Sequence, residues 1–288
     1  MKQSKQNIFD NIPADQTMVM GILNITPDSF SDGGLYYGNV ATAVAQAEQM
    51  VKDGADIVDI GGESTRPGSE AVSVEEELKR VLPVILGIRK KLGKKILISI
   101  DTNKAPVAEA ALAAGANIVN SLGGFTFDPV LVGVVAKFGC PIIIYHIKGT
   151  PRTMQTGEIV YKNVVKEINS WFKEQIVIGR KHKIKPEQFI LDPGIGFGKS
   201  VEHNLAIIKN CRAFTKFKLP ILIGPSRKSH LGKILQEVLH LENTPAPIER
   251  VEAGLAEVAV AVLAGANIVR THDVAPTKKF LAVLDRLK

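Results

Sequence analysis

Eight short apolar runs recur along the chain and predict β-strands. They are Met18–Ile25, Ile57–Gly61, Ile96–Ile100, Ile118–Val119, Ile142–Tyr145, Phe189–Leu191, Ile221–Gly224 and Ile268–Val269. A polar side chain stands at or just beyond the end of each run: Asn24, Glu63, Asp101, Asn120, His146, Asp192, Ser226 and Arg270. Helical periodicity fills most of the intervals, in Val40–Lys52, Val74–Leu92, Ala105–Ala113, Tyr161–His182 and Val251–Leu263. This alternation predicts parallel strands whose polar ends gather on one face of the sheet, where α/β enzymes place their active sites.

Eight strand–helix units in 288 residues fit an α/β protein with a (β/α)8 barrel, a fold of about 250 residues. An open, doubly wound parallel sheet is the alternative. Three helix ends share one pattern, in which Gly54, Gly115 or Gly265 is expected to take a left-handed capping conformation just before a strand. We predict a single domain at 18–288 after an N-terminal extension at 1–17, with an extra helix in His230–Glu249.

Composition narrows the classes of partner. The net charge is +7 and the pI is about 9.3, yet the basic clusters lie at predicted helix C-termini, where cations complement the helix dipole. No aromatic interleaving or nucleic-acid motif accompanies the charge, so an anionic small molecule is the favoured partner rather than a nucleic acid. Two isolated cysteines, Cys140 and Cys211, and an apolar pattern without a signal peptide or membrane span predict a cytoplasmic protein.

Five loops after predicted strands carry the candidate chemistry. Asn24–Gly34 and Gly61–Ser69 are long and rich in glycine, as many connections are, but they also hold acids and hydroxyls suited to closing over a ligand. Asp192–Ser200 looks like a phosphate loop, yet Pro193 occupies a position where that motif requires glycine. Its glycines instead suit a flat ligand beside Phe197, with the Asp192 carboxylate accepting hydrogen bonds.

The loops after the last two strands favour an anion. Ser226, Arg270 and His272 are donors suited to phosphate oxygens, and Lys228 could alternatively form a Schiff base. The histidines lack zinc-site spacing. The Asn24 amide oxygen together with a diphosphate would suit Mg²⁺, the expected cofactor.

Together, Met20–Gly34, Asp59–Ser69, Asp192–Ser200, Ser226–Ser229 and Arg270–Val274 resemble the signature segments of bacterial dihydropteroate synthases. That resemblance implies a (β/α)8-barrel transferase of folate biosynthesis and a target of sulfonamides. Its reaction joins 6-hydroxymethyl-7,8-dihydropterin diphosphate to 4-aminobenzoate, giving 7,8-dihydropteroate and diphosphate. The resemblance also implies a homodimer.

The resemblance implies a role for individual residues toward each ligand. The pterin would contact Asp101, Asn120, Asp192, Phe197 and Lys228; the diphosphate would contact Asn24, Arg270 and His272, with Mg²⁺ at Asn24. The aminobenzoate would contact Thr65, Arg66, Pro67 and Ser226. Asp32 corresponds to a residue that stabilises the cationic pterin methylene left after diphosphate departs. Asp32, Lys228, Asn24, Arg270 and His272 are therefore the predicted catalytic set.

The chain departs from the family pattern at Ser121, Tyr145, His230 and Glu257. These changes alter no predicted substrate contact but bear on pocket shape and on drug susceptibility. The sequence leaves two alternative functions open. One is a methyltetrahydrofolate:corrinoid methyltransferase, which shares a pterin pocket but has no use for a diphosphate site; the other is a pterin-binding paralogue without catalytic activity.

Overall fold

The computed structural model describes residues 16–26, 38–64, 68–69 and 71–288. The predictions made for Asp32, Thr65, Arg66 and Pro67 lie outside these ranges.

The described residues form one eight-stranded parallel sheet. Its strands are β1 (Met18–Asn24), β2 (Ile57–Gly61), β3 (Leu97–Asp101), β4 (Ile118–Leu122), β5 (Ile142–Tyr145), β6 (Phe189–Asp192), β7 (Leu222–Ile223) and β8 (Ile268–Thr271). The strand order is β6-β5-β4-β3-β2-β1-β8-β7, and a parallel bridge between Leu191 and Ile221 joins the two outer strands. The predicted barrel is thereby confirmed, and the open-sheet alternative is wrong.

Nine α-helices surround the strands within the described ranges. They are α1 (Val40–Lys52), α2 (Val74–Leu92), α3 (Ala105–Ala113), α4 (Leu131–Phe138), α5 (Val164–Lys181), α6 (Val201–Lys209), α7 (Ser229–Val238), α8 (Val251–Leu263) and α9 (Val274–Leu284). Four of the five predicted helices have the observed bounds. The fifth, α5, begins later than predicted, because the Asn163 side chain accepts a hydrogen bond from the Lys166 amide and caps it there.

The extra helix predicted after the seventh strand is α7, which precedes the barrel helix α8. Gly54, Gly115 and Gly265 have φ angles of 100°, 116° and 110°, as their expected capping role requires.

Two apolar cores hold the barrel together. Alternate strand residues point inward and fill the lumen, among them Met20, Ile57, Ile143 and Ile268. The outward-facing strand residues pack against the helices in a larger core. Cys140 and Cys211 are both buried thiols. Among the described helices, none has the length and apolarity needed to cross a bilayer.

Candidate active site

Most of the predicted ligand contacts meet at the carboxyl ends of the strands. The sheet register pairs Asn24 with Gly61, Gly61 with Asp101, and Asp101 with Asn120, so these strands end at nearly one level. A cavity of about 450 Å³ opens above them. Seven predicted site residues line it: Asn24, Asp101, Phe197, Ser226, Lys228, Arg270 and His272. Asn120 and Asp192 are buried polar residues of the neighbouring strands β4 and β6.

Arg270 connects two buried carboxylates across the barrel. Its Nε lies 2.6 Å from Asp59 Oδ2, and its Nη2 lies 2.7 Å from Asp101 Oδ2. Asp59 Oδ2 also accepts a hydrogen bond of 3.1 Å from the Asn120 amide. The guanidinium that was expected to bind the anion therefore also fixes the groups expected to bind the pterin. Its planar fork suits this bridging better than an ammonium would.

Burial tunes the acids of this cluster. Desolvation raises the pKa of Asp101 to about 7, although Arg270 opposes that shift. Desolvation likewise raises the pKa of Asp192 to about 6, opposed by the Gly194 amide and by Lys228. Burial and the Asp101 charge raise the pKa of the Tyr145 hydroxyl, which lies 3.3 Å from Asp101 Oδ1. The Tyr145 departure thus adds a donor to Asp101, which lines the cavity.

The turn after β6 is shaped by three glycines with positive φ, Gly194, Gly196 and Gly198. A Cβ at Gly194 would overlap the His146 carbonyl oxygen, and one at Gly198 would overlap that of Lys148. Only at Gly196 would a Cβ point toward the cavity, 3.1 Å from the Lys228 side chain. The expectation that all three glycines make room for a ligand is therefore wrong for two of them, which allow close packing of two loops.

Phe197 and Lys228 form one wall of the cavity. The Lys228 Nζ lies 4.0 Å from the centre of the Phe197 ring, a cation–π contact. The Tyr145 ring packs edge-on against the same ring at 5.3 Å between centroids. This geometry offers a flat ligand an aromatic edge and a fixed positive charge.

Ser226 and His272, two of the predicted anion donors, line one end of the cavity. Ser226 Oγ lies 3.1 Å from His272 Nδ1 and also accepts a hydrogen bond of 3.1 Å from the His272 amide. The adjacent residues are locked by an ion pair between Arg227 and Asp273, with an N–O distance of 2.6 Å. The loops after β7 and β8 thus act as one unit.

Two departures from the family pattern contact each other. His230 Nε2 on α7 lies 2.9 Å from Glu257 Oε1 on α8, and both residues are buried. His230 occupies the first turn of α7, two residues after Lys228. One substitution therefore supplies the polar partner that the other needs. Ser121, a third departure, donates to the Gly124 carbonyl at 2.7 Å.

Sequence reasoning missed three buried charged residues, Asp59, Glu77 and Lys199. Asp59 lies in the middle of the apolar run of β2 and is fully buried. An acid inside an otherwise apolar strand was the available signal, since a buried charge requires a partner. Lys199 drew attention only as a false phosphate-loop lysine, and its side chain is turned into the protein.

Comparison with known proteins agrees with this geometry. A family described as "Pterin binding enzyme" matches residues 20–272. The dihydropteroate synthase of Synechocystis sp. is 46% identical over 98% of this chain and 93% of its own length. The Escherichia coli dihydropteroate synthase is 41% identical over 93% of this chain and 90% of its own.

Solved structures give the same result. The Yersinia pestis dihydropteroate synthase with a sulfonamide drug complex superimposes with a TM-score of 0.89 at 36% identity, covering 96% of both chains. The Xanthomonas albilineans dihydropteroate synthase in complex with 7,8-dihydropteroate gives a TM-score of 0.80 at 34% identity, over 96% of this chain and 95% of that one. The chain therefore belongs to the dihydropteroate synthase family of pterin-binding enzymes.

Proposed function

We propose that this protein condenses 6-hydroxymethyl-7,8-dihydropterin diphosphate with 4-aminobenzoate, forming 7,8-dihydropteroate and releasing diphosphate. The observation that supports this most strongly is the convergence of two kinds of group on one cavity. Asp101 and Lys228 line its ring-binding wall, and Ser226 and His272 line its anion end. A methyltransferase that uses a pterin without a diphosphate has no need of the second set.

The buried strand residues next to the cavity lining, here called its deep end, suit the pterin ring. The Asn120 side-chain nitrogen donates to Asp59. The side-chain oxygen of the same amide is buried and has no hydrogen-bond partner among the described residues. A buried acceptor without a donor is unfavourable by about 1–3 kcal/mol, and a ligand N–H would relieve that penalty. The Asp192 carboxylate would face the adjacent N–H groups, a pairing that rejects rings lacking them.

The anion end would favour departure of the diphosphate. The Ser226 hydroxyl, the His272 ring and the Arg270 guanidinium would stabilise the charge that develops on the leaving oxygen as the carbon–oxygen bond breaks. The aminobenzoate nitrogen then attacks the cationic methylene, forms the carbon–nitrogen bond and gives up a proton. An aniline nitrogen is already nucleophilic, so this step requires no general base. The roles predicted for Asp32, Thr65, Arg66 and Pro67 stay predictions, as does the predicted aminobenzoate contact of Ser226.

We also propose that Asn24 would hold Mg²⁺ together with the diphosphate. The described residues contain no group of three or more His, Cys, Asp or Glu side chains suited to a metal ion. The single amide oxygen of Asn24, on the cavity wall, fits an ion that keeps several waters and binds substrate phosphates. Bound there, Mg²⁺ would neutralise charge on the leaving group. Asn24→Ala should raise the Mg²⁺ concentration needed for half-maximal rate about tenfold, since one ligand is lost.

We further propose that the protein is a homodimer. Apolar side chains are exposed on the outer helices α8 and α9, at Val260, Leu263 and Val283. A second copy of the chain could cover this surface. Sedimentation equilibrium should give twice the chain mass, and Val260→Glu with Val283→Glu should shift it to the monomer. A monomeric parent protein would contradict the proposal.

The proposed reaction is tested by diphosphate release from the purified protein with both substrates and Mg²⁺. We expect release that depends on 4-aminobenzoate and yields dihydropteroate. Binding of the pterin without release would support the non-catalytic paralogue. Methyl transfer to a corrinoid in the absence of diphosphate would support the methyltransferase.

A further inference from the structure

Lys199 is a buried lysine that the proposed reaction does not use. It follows the glycine-rich turn after β6, and only 3% of its surface is exposed. Its sequence position resembles a phosphate-binding lysine, but its Nζ contacts His146 and Phe197 in the packing between two loops. One loop is the turn 193–198 and the other is the long connection 146–163 between β5 and α5.

The contacts of Lys199 match the three hydrogens of an ammonium group. Its Nζ lies 2.9 Å from the Phe197 carbonyl oxygen, 3.0 Å from His146 Nδ1 and 3.4 Å from the His146 carbonyl oxygen. All three acceptors are uncharged groups. The imidazole must therefore be neutral, with Nδ1 free to accept. Burial first, and then the Lys199 charge, lower the pKa of His146 to about 2, which agrees with that assignment.

These contacts fix the residue that forms the cavity wall. The Phe197 carbonyl is held by Lys199, while the Phe197 ring lies between the Tyr145 ring and the Lys228 ammonium. A shift of this backbone would move the ring relative to both. No carboxylate is within hydrogen-bond distance of the Lys199 ammonium among the contacts above, and burying such a group is unfavourable. Burial lowers the pKa of Lys199 to about 7, although the charge of Asp192 opposes that shift. If Lys199 served only to stabilise the fold, an apolar side chain of similar size would stabilise it at least as well.

We propose that Lys199 is a positioning residue for pterin binding, acting by holding the backbone of Phe197 against the loop after β5. This inference rests on the proposed function, since it assumes that the ligand beside Phe197 is the pterin. It assigns to Lys199 no contact with either substrate.

The test compares Lys199→Met with two matched controls. Methionine keeps the unbranched stem and removes the three donors. Tyr161→Phe removes a different bond between the same loops, the 3.1 Å bond from the Tyr161 hydroxyl to the Gly198 carbonyl. Lys209→Met removes one positive charge from the exposed end of α6. Two other bonds still join the loops in Lys199→Met, from Tyr161 and from Gln155 to Gly196, so we expect the variant to fold.

Two readouts are measured for each protein. Calorimetry gives the affinity for 6-hydroxymethylpterin without turnover, and steady-state kinetics gives the KM of each substrate. We expect Lys199→Met to weaken pterin binding and raise the pterin diphosphate KM by about tenfold, with the 4-aminobenzoate KM changed by less than about twofold. Both controls should change each value by less than about twofold.

A double-variant cycle tests the route through Phe197. In a Phe197→Ala background, Lys199→Met should add less than about a twofold loss of pterin affinity, because the ring it positions is gone. Unchanged pterin binding in Lys199→Met, equal rises of both KM values, or full additivity with Phe197→Ala would each overturn the inference. If Lys199→Met cannot be purified, Lys199→Leu, which also removes the donors, replaces it under the same criteria. Calorimetry needs no turnover. An inactive parent protein would therefore contradict the proposed reaction, while the effect of Lys199→Met on pterin affinity could still be measured.

Discussion

The deep end of the cavity and its mouth, which is the anion end that holds Ser226 and His272, are built in different ways. At the deep end, Asp59, Asn120 and Asp192 are buried on rigid strands. At the mouth, Ser226 and His272 sit on loops and are only partly buried. Fixed, desolvated groups suit the recognition of one heterocycle, whereas partly hydrated donors suit an anion that must leave. Arg270 lines the cavity and also holds the carboxylates of Asp59 and Asp101. A change at Arg270 should therefore affect both ends of the cavity.

The largest expected effect comes from removing the deep carboxylate. Asp192→Asn replaces a charged acceptor with a group that presents a donor to the ring's N–H edge. We expect kcat/KM for the pterin diphosphate to fall about a thousandfold, since hydrogen bonds to a charged group contribute about 1.5–3 kcal/mol each and two would be lost. Asp53→Asn removes the same charge at the end of α1, on the opposite side of the barrel, and should leave kcat/KM unchanged. If Asp192→Asn and Asp53→Asn had comparable kcat/KM values, Asp192 would have no role in pterin recognition.

The second-largest expected effect comes from Arg270→Lys, which tests whether Arg270 couples the two ends of the cavity. Arg270→Lys keeps the charge, but one ammonium cannot reproduce the two-pronged contact with Asp59 and Asp101. We expect kcat/KM to fall about a hundredfold, with the pterin diphosphate KM raised and the melting temperature lowered. Steady-state kinetics and thermal melting measure both. If Arg270→Lys lost activity but kept normal stability and normal pterin affinity, Arg270 would act only at the mouth, and the proposed coupling would be contradicted.

The pH profile sharpens the same comparison. Burial raises the pKa of Asp192 to about 6, so its accepting carboxylate form is lost as the pH falls through that value. We expect pterin affinity to fall about tenfold between pH 7 and pH 5. Asp192→Asn should remove this part of the dependence. Affinity that rose with acidity in the parent protein would contradict the accepting role.

The smallest expected effect concerns a pair outside the cavity. His230→Leu and Glu257→Ala should each lower the free energy of unfolding by about 1–3 kcal/mol, because each leaves the other side chain buried without its partner. The double variant should lose less than the sum of the two. Chemical denaturation of the four proteins measures this, and strict additivity would show that the two departures are independent.

The sequence predicted the barrel and most of the mouth because polar residues follow apolar runs there. It did not predict α4, α6 or α9, which are short or carry weak amphipathic patterns. Asp59 could have been found as an acid within the apolar run of β2, but its partner Arg270 could not, because it lies 211 residues further along the chain. The partnership of His230 with Glu257 depends on how α7 packs against α8, which spacing along the chain cannot show.

One ligand is expected to span both ends of this cavity, with its ring at the deep end and its diphosphate at the mouth. A crystal structure of the protein with a non-hydrolysable pterin diphosphate and Mg²⁺ tests this central claim most directly. We predict the ring within hydrogen-bond distance of Asn120 and Asp192, and the diphosphate within reach of Arg270 and His272. A ring bound away from Asp192, or a diphosphate directed away from β8, would contradict the account.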